Sequence, residues 1–403
     1  MSVFARPVSF VIPWYGHFAG GAEVAARSFA HALAARGAEV DVLTTCARSP
    51  SESWWRDTLP AGASADGAIT IRRFPVDSDG EARFVEVNAK LVLGETIAEA
   101  HQREFVRHSI NSRTLVEHVR ATSGARDVIA LPYTQGLIHD AVVESGAGVL
   151  AMPCLHDEPQ AQWTTTREML ASARGVLFLS DAEKRLAIRL HGASVGRKLA
   201  EQPVVGIGVE ASPAARALLA DADRLTDIRA RLKLPARYHM YMGRKEVGKG
   251  VSTLVAWYRH YRASGGDATL VFMGGGDASL VPAEPGFRDL GLVGEEEKVA
   301  TLSGAVALAN LSRNESFSIV VFEAWLARVP VVVAKACAVT AELVAAAGGG
   351  IAAGDESEFA AALATLDHLP TRDAVSARGE RHAREHFDWD AVTDRLARAL
   401  EAA

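Results

Sequence analysis

Short apolar runs alternate along the chain with polar turns and with segments whose apolar residues recur at helical spacing. In the first half this pattern predicts strands at residues 8–13, 39–45, 69–74, 127–131, 148–153, 175–180 and 203–209, and helices at 22–36, 101–120 and 181–191. The pattern restarts near 207–213, with strands predicted at 238–242, 268–273, 287–293, 305–311 and 331–334, and helices at 251–264, 295–302, 317–328, 356–366 and 389–400. Alternating strands and helices are typical of α/β folds with parallel sheets. We therefore predict two α/β domains, at 1–208 and 209–385, followed by a C-terminal helix at 386–403.

The stretch from 312 to 330 places two glutamates on either side of a predicted helix start. Ser316 or Ser318 can cap this helix, so Glu315 lies just before it and Glu323 about two turns into it. A helix start offers unpaired N–H groups and the positive end of the helix dipole to an anion. A carboxylate on either side of such a phosphate-binding helix end suits the hydroxyl groups of a sugar on one side and of a ribose on the other. Taken alone, the stretch is equally compatible with two solvated glutamates on a surface helix.

Two glycine-rich turns follow predicted strands. Gly20 and Gly21 come after the first strand, in a unit that lacks the dinucleotide fingerprint, and they would let the backbone approach a phosphate or sugar closely. The loop 243–250 carries Arg244 and Lys249, two positive charges that can neutralise a diphosphate without a metal. Ligands bind at the carboxyl ends of parallel strands, so both turns are candidate ligand sites. The alternative is that the glycines only make turns and the cations only face water.

Polar residues also follow two later strands of the first half. Tyr133 follows the predicted strand 127–131, and His156, next to two acidic residues, follows the predicted strand 148–153. His156 suits a catalytic or hydrogen-bonding role and, equally, a salt bridge in a loop. The basic amphipathic segment 101–120 suits a membrane surface, although an ordinary surface helix is the favoured interpretation.

Composition excludes several classes of function. The 403 residues carry a formal net charge of −6 without long basic runs, which argues against nucleic acid as a partner. Three widely spaced cysteines (Cys46, Cys154 and Cys337) form neither a disulfide framework nor a zinc site. The Asp-Ser-Asp sequence at 77–79 matches the Asp-x-Asp metal-binding motif but lies in a turn-rich stretch, so we predict no metal and no cofactor. Without a secretion pattern or an apolar run of ~20 residues, a cytoplasmic protein is expected.

The stretch 314–325 resembles the Glu-x7-Glu motif of the retaining glycosyltransferases of family 4, which have the GT-B fold. That family usually has a Gly-Gly-x-Glu turn after the first strand, as at 20–23, and a Gly-Arg…Lys-Gly loop opening the second domain, as at 243–250. These three motifs in this order, over nearly the whole chain, are highly specific. The run 156–159, with Cys337 after a later strand, is similar to a subset of the family found in surface-polysaccharide assembly.

The resemblance implies two Rossmann-like domains facing across a cleft, with the C-terminal helix crossing back to the first domain. It implies that Arg244 and Lys249 hold a donor diphosphate, that Glu323 takes the ribose hydroxyls, and that Glu315 contacts the donor sugar. The other donor contacts that it implies are Gly20, Gly21, Gly243, Ser316, Phe317, Ser318 and Ile319.

The chain departs from the family pattern at two places. Ser318 stands where glycine is common, which could tighten the sugar pocket. The family's donor-sugar histidine is not evident near 132–133, so either Tyr133 occupies its place or His156 serves instead.

The resemblance predicts retaining transfer of a sugar from a UDP- or GDP-sugar to a hydroxyl of a glycan or lipid-linked glycan, in cell-surface polysaccharide or glycoconjugate assembly. The enzyme would be independent of metal, and peripheral association with the inner face of the membrane fits such an acceptor. Two rival hypotheses keep the fold. One is a nucleotide-binding protein that transfers no sugar. The four charged residues at 244, 249, 315 and 323 argue against it, because such a protein does not need all four. The other is a sugar-nucleotide epimerase, which needs no acceptor.

Overall fold

The computed structural model describes residues 4–16 and 20–403. These divide into two compact units: the chain up to Gly208 together with Val392–Ala403, and Val209–Ala391. Each unit contains a six-stranded sheet. The predicted α/β class with two Rossmann-like sheets is confirmed.

The described part of the first unit has the strands β1 (Val8–Val11), β2 (Val40–Thr45), β3 (Gly62–Asp66), β4 (Ile69–Phe74), β5 (Asp127–Ala130) and β6 (Val149–Ala151). Its helices are α1 (Gly21–Ala35), α2 (Glu81–Val92), α3 (Glu99–His108), α4 (Arg113–Thr122), α5 (Gly136–Glu144), α6 (Thr164–Ser172) and α7 (Asp181–Ala200). The strand order is β3-β4-β2-β1-β5-β6, and all pairs are parallel except β3 with β4. The order therefore turns between β1 and β5.

The second unit has the strands β7 (Tyr238–Met242), β8 (Thr269–Met273), β9 (Phe287–Asp289), β10 (Leu308–Asn310), β11 (Val331–Ala334) and β12 (Gly350–Ala353). Its helices are α8 (Pro213–Leu219), α9 (Ala222–Arg231), α10 (Val251–Ala263), α11 (Glu295–Ser303), α12 (Ile319–Leu326), α13 (Ala338–Ala347), α14 (Glu356–Asp367) and α15 (Leu369–His386). All strand pairs are parallel, in the order β12-β11-β10-β7-β8-β9. Here the order turns between β7 and β10.

The last helix, α16 (Trp389–Ala402), packs on the first unit for most of its length. Asp394 lies 2.6 Å from the Arg36 guanidinium of α1, and Arg395 donates to the Val205 carbonyl at 3.0 Å. The predicted return of the C-terminal helix to the first domain is therefore confirmed.

Three sequence predictions of local structure are wrong in detail. The predicted helix 101–120 is two helices, because the chain turns at 109–112 and Ser112 caps α4 by accepting from the Leu115 N–H at 3.3 Å. The predicted strands 175–180 and 203–209 form only isolated parallel bridges, at Val176 and between Phe178 and Val204. The short strands β3 and β12 were not predicted, since Gly62–Asp66 and Gly350–Ala353 are rich in small residues of low strand propensity.

The second unit is tightly packed where α15 crosses Trp325. The Trp325 indole is completely buried, and its N–H donates to the Gly349 carbonyl at 2.8 Å. A Cβ atom on Gly379 of α15 would lie 2.4 Å from Cδ1 of this ring.

We predict that Gly379→Ala destabilises the second unit by about 1–3 kcal/mol, because a rigid buried ring cannot move aside and overpacking outweighs the gain in helix propensity. Gly196→Ala in α7 is the matched control, since no atom lies within 4 Å of its added Cβ, and it should stabilise by up to about 1 kcal/mol. Urea unfolding of both variants measures the two shifts. A Gly379→Ala protein as stable as the wild type would refute this account of the packing.

Candidate functional site

The strand order of the second unit turns between β7 and β10, so the loops that follow these two strands diverge at the carboxyl edge of the sheet. Ligands of open α/β sheets bind at such a switch point. The loop after β7 is 243–250 and the loop after β10 is 311–318. The predicted donor residues of the second domain lie on these loops and on the helix that follows the second one.

A close backbone contact joins the two loops. Gly250 has a φ of +72°, and a Cβ there would lie 2.1 Å from the carbonyl oxygen of Leu311. Only glycine tolerates both the left-handed conformation and the contact. The contact places Lys249 beside Glu315, with 3.1 Å between Nζ and Oε1 and only 12% of the Glu315 side chain exposed. The structure thus brings two of the predicted site residues together.

Helix α12 begins at Ile319, two residues later than predicted, and Ser318 is its N-cap residue. The predicted side-chain cap is wrong: the Ser318 hydroxyl accepts from Asn310 Nδ2 at 3.0 Å and bonds to no N–H of the helix. Ser318 has a φ of +70°, which explains in physical terms why glycine suits this position. The first N–H groups of the helix therefore donate no hydrogen bond to the side chain of the cap residue.

The residues around this helix start differ in exposure. Phe317 is buried and stacks on Phe322 with 4.6 Å between ring centroids, so its side chain belongs to the core. Ser316 and Ile319 are half-buried. Their backbone groups and the Ser316 hydroxyl remain the candidate ligand contacts.

Glu323 lies on the second turn of α12 and has a cationic partner that sequence reasoning missed. Lys298 of α11 lies 3.0 Å from Glu323 Oε1 and 2.8 Å from Glu295 Oε2. Burial disfavours the charge of Lys298, but Glu323 and Glu295 outweigh it and raise the pKa of the ammonium group above its ordinary value. Lys298 follows three glutamates in the sequence, a pattern typical of a solvated helix start, so no signal distinguished it.

Arg244 is fixed at its backbone and exposed at its side chain. Its carbonyl accepts from the Tyr241 hydroxyl at 2.6 Å, while 61% of its side chain is exposed and its nearest carboxylate, Glu246, is 3.5 Å away. The neighbouring Gly243 has a φ of +150°, and a Cβ on Gly274 would lie 2.2 Å from the carbonyl oxygen of Gly243. The backbones of the loops after β7 and β8 are therefore in close contact, and the Arg244 guanidinium is accessible to a ligand.

In the first unit the strand order turns between β1 and β5, and Gly20 and Gly21 lie at the start of the helix that follows β1. A Cβ on Gly20 would lie 1.9 Å from a carboxylate oxygen of the buried Glu23, whereas a Cβ on Gly21 would contact nothing within 4 Å. Gly20 therefore allows Glu23 to fold back against the helix start. Residues 17–19 of this turn lie outside the described residues.

The two candidates for the sugar-contacting residue of the first unit share one carboxylate. The Tyr133 hydroxyl donates to Glu158 Oε1 at 2.5 Å, and His156 Nδ1 lies 4.0 Å from the same oxygen. Burial and the Glu158 carboxylate raise the pKa of Tyr133 well above its ordinary value, so its phenol keeps the proton that it donates. The structure brings Tyr133 and His156 together without choosing between them.

Glu183, near the start of α7, is a buried acid that sequence reasoning missed. Its two carboxylate oxygens accept from the Leu155 N–H at 2.5 Å and the Leu179 N–H at 2.6 Å, so it fixes the loop immediately before His156. Burial raises the pKa of Glu183 to about 8, against the lowering effect of its backbone donors.

The remaining candidates have structural partners. Asp77 lies 3.4 Å from Arg113, and the described residues contain no group of three or more side chains that could hold a metal ion. In α3, Arg103 pairs with Glu99 and Glu168, so part of the basic face of this segment is neutralised. Among the described residues no helix has the length and apolar character needed to cross a membrane.

Comparisons with known proteins agree with this geometry. Residues 236–367 match the family model "Glycosyl transferases group 1". The chain is 25% identical over 394 residues to the D-inositol 3-phosphate glycosyltransferase of Xylanimonas cellulosilytica, covering 92% of this chain and 89% of that protein. The structure of trehalose-6-phosphate synthase OtsA superposes with a TM-score of 0.74 at 11% identity, covering 98% and 99% of the two chains. Anabaena HepE in complex with UDP superposes with a TM-score of 0.68 at 16% identity, covering 98% and 100%.

The fold and these matches define the class of the protein, which is a glycosyltransferase with the GT-B fold. Residues 236–367 carry its group 1 glycosyltransferase domain, which contains Arg244, Lys249, Glu315 and Glu323. The family resemblance is confirmed at this level. Retention of configuration, the role in polysaccharide assembly and the roles of individual residues stay predictions.

Glu183 generates a prediction about stability and pH. Its pKa of about 8 in the folded state lies above the ordinary value of 4.5, so between these values the folded protein binds a proton that the unfolded chain releases. The free energy of unfolding of the wild type should therefore fall as pH rises through this window, by at most about 1.4 kcal/mol per pH unit from this group. Glu183→Gln removes this slope, so its stability difference from the wild type should change steadily between about pH 5 and pH 8 and level off at higher pH in urea unfolding.

The exposed Glu201, which ends the same helix, gives the control variant Glu201→Gln. Its stability difference from the wild type should stay constant over the same range. A constant difference for Glu183→Gln as well would show that Glu183 does not titrate there.

Proposed function

We propose that this glycosyltransferase moves a sugar, with retention of anomeric configuration, from a UDP- or GDP-sugar to a hydroxyl of a glycan or lipid-linked glycan in cell-surface polysaccharide or glycoconjugate assembly. The observation that carries the proposal is the cluster at the switch point of the second unit. There Lys249 and Glu315 meet at 3.1 Å, next to the start of α12, and the exposed Arg244 lies on the same loop as Lys249.

The cluster suits a leaving nucleoside diphosphate. As the bond to the anomeric carbon breaks, negative charge grows on the diphosphate, and Arg244, Lys249 and the N–H groups at the start of α12 supply positive charge where it develops. Lys249 is paired with Glu315, so a diphosphate competes with this carboxylate for the ammonium group. Lys298 bonds to Oε1 of Glu323, which leaves Oε2 to accept from ribose hydroxyls.

The proposed chemistry needs no strong protein base. The departing phosphate oxygen takes the proton of the acceptor hydroxyl on the face from which the diphosphate leaves, and the new bond forms on that same face. Glu315 then serves to orient donor-sugar hydroxyls. In the first unit, the acceptor-side domain of this proposal, Gly20, Gly21 and either His156 or Tyr133 are the candidate ligand contacts.

The names of two similar proteins suggest which nucleotide and which acceptor to test. Anabaena HepE is described in complex with UDP, so UDP is the first nucleotide to try. The curated relative is named for transfer involving D-inositol 3-phosphate, so that compound is a second acceptor to test beside lipid-linked glycans.

We predict that one nucleoside diphosphate among UDP, GDP and ADP raises the thermal stability of the protein. At about 100 times its dissociation constant it adds ~2.7 kcal/mol, a shift that differential scanning fluorimetry resolves. Arg244→Ala should reduce or abolish the shift. Arg259→Ala, which removes an exposed arginine of α10 that is paired with Glu284, should keep it. If none of the three nucleotides stabilises the wild type, the proposal fails and a protein without nucleotide binding is favoured.

We also predict the stereochemistry of transfer. The donor to use is a sugar linked to the nucleoside diphosphate that stabilises the protein. The product glycoside should have the anomeric configuration of this donor, which NMR of the anomeric proton measures directly. A product of inverted configuration would overturn the retaining mechanism. Conversion of the donor sugar to an epimer or to free sugar, without an acceptor, would support the epimerase instead.

A further inference from the structure

We infer that the ion pair between the buried Lys245 and Asp289 is a positioning device, which holds the loops after β7, β8 and β9 in the arrangement that binds the donor nucleotide. This inference rests on the proposed function, because the loop after β7 carries Arg244 and Lys249. Lys245 lies within the loop 243–250 but was not among the candidate residues of that loop, and Asp289 lies outside the motifs that the sequence pointed to.

The ammonium group of Lys245 has no donor left for a ligand. It lies 2.8 Å from each carboxylate oxygen of Asp289 and 2.8 Å from the Gly274 carbonyl, and only 3% of the side chain is exposed. A lysine has three N–H donors, and these three acceptors use them all. Lys245 therefore acts on the site through other residues.

The pair fastens three loops to one another. Lys245 belongs to the loop after β7, Gly274 to the loop after β8, and Asp289 ends β9. Asp289 Oδ1 also accepts from the Gly291 N–H at 2.9 Å, and the Gly274 N–H donates to the Gly291 carbonyl at 2.8 Å. Removing the pair therefore leaves polar backbone groups in two loops without their charged partners.

The backbone of Lys245 is fixed on both sides as well. Its N–H donates to the Gly275 carbonyl at 2.8 Å, and its carbonyl accepts from the Asp277 N–H at 2.9 Å. A Cβ on Gly276 would lie 2.5 Å from that carbonyl oxygen, so the two loops touch. Arg244, the preceding residue, has an exposed side chain with little packing of its own, so the direction in which it leaves the backbone depends on how Lys245 is held.

An ion pair is a costly way to fill this space. Burial of the Lys245 ammonium group sacrifices its hydration, and apolar residues of similar volume in place of such ion pairs are often as stable or more stable. Apolar side chains, however, cannot bond to the Gly274 carbonyl or the Gly291 N–H. The pair therefore orients these loops in a way that apolar packing cannot. A variant in which both residues are apolar can for this reason remain stable and still bind the nucleotide more weakly.

The test compares Lys245→Met, Asp289→Leu and the double variant Lys245→Met/Asp289→Leu, with calorimetric titration of the nucleoside diphosphate that stabilises the wild type. Each single variant leaves a charge without its partner and should lower the melting temperature. The double variant should regain most of that loss, yet bind the nucleotide at least tenfold more weakly than the wild type. Wild-type affinity in the folded double variant would overturn the inference and make the pair purely structural.

Two further variants keep the result unambiguous. Arg259→Met/Glu284→Leu replaces an exposed ion pair of the same unit and should leave nucleotide affinity unchanged. Asp289→Asn keeps the volume of the side chain but weakens its hold on Lys245. Asp289→Asn should reduce nucleotide affinity by less than the double variant does. If the double variant does not fold, Asp289→Asn becomes the test, and unchanged affinity in it overturns the inference. A wild type that binds no nucleoside diphosphate would instead refute the proposed function.

Discussion

The geometry of the second unit depends on the contact between the backbones of Gly250 and Leu311. The loops after β7 and β10 leave the sheet on either side of its switch point, and they can touch only where one of them lacks a side chain. That contact fixes the separation of Lys249 and Glu315, and it places the start of α12 beside the cationic loop. A side chain at residue 250 would separate the two halves of the cluster even if every charged residue were kept.

The two glutamates of the motif can lie beside an anion site because each has its own lysine. Glu315 is paired with Lys249 and Glu323 with Lys298, so neither carboxylate repels an incoming diphosphate with its full charge. Arg244 and the start of α12 then give the cluster a net positive character. The cations also differ in availability: Lys245 and Lys298 are held by carboxylates in part-buried surroundings, whereas the Arg244 side chain is largely exposed.

The sequence predicted those features whose signal is local. The strands Ile69–Phe74, Tyr238–Met242 and Val331–Ala334 were predicted to the residue. The last two are nearly continuous buried runs, as parallel strands covered on both faces are, whereas Ile69–Phe74 begins with alternating apolar and polar residues. The motif residues at 244, 249, 315 and 323 were found by their spacing. Short strands poor in β-branched residues, such as Gly62–Asp66, were missed because they form only when a neighbouring strand supplies their hydrogen bonds. The left-handed backbone of Ser318 was not predicted, because serine itself carries no signal for it; only the glycine common at this position in the family pointed to it.

The residues that sequence reasoning missed share a physical property: each acts through a partner distant in the chain. Glu183 holds the N–H of Leu155, 28 residues away, and Lys245 holds Asp289, 44 residues away. Lys298 reaches Glu323 across 25 residues. In each case the side chain bonds to a group on an element distant in the chain, so the three-dimensional fold must exist before the interaction does. Such a residue has no characteristic neighbours in sequence, and its type alone suggests a solvated surface. The Glu183 carboxyl group and the Lys245 ammonium group are both bonded to protein groups, so each is placed to orient a loop: Glu183 the loop immediately before His156, and Lys245 the loop that carries Arg244.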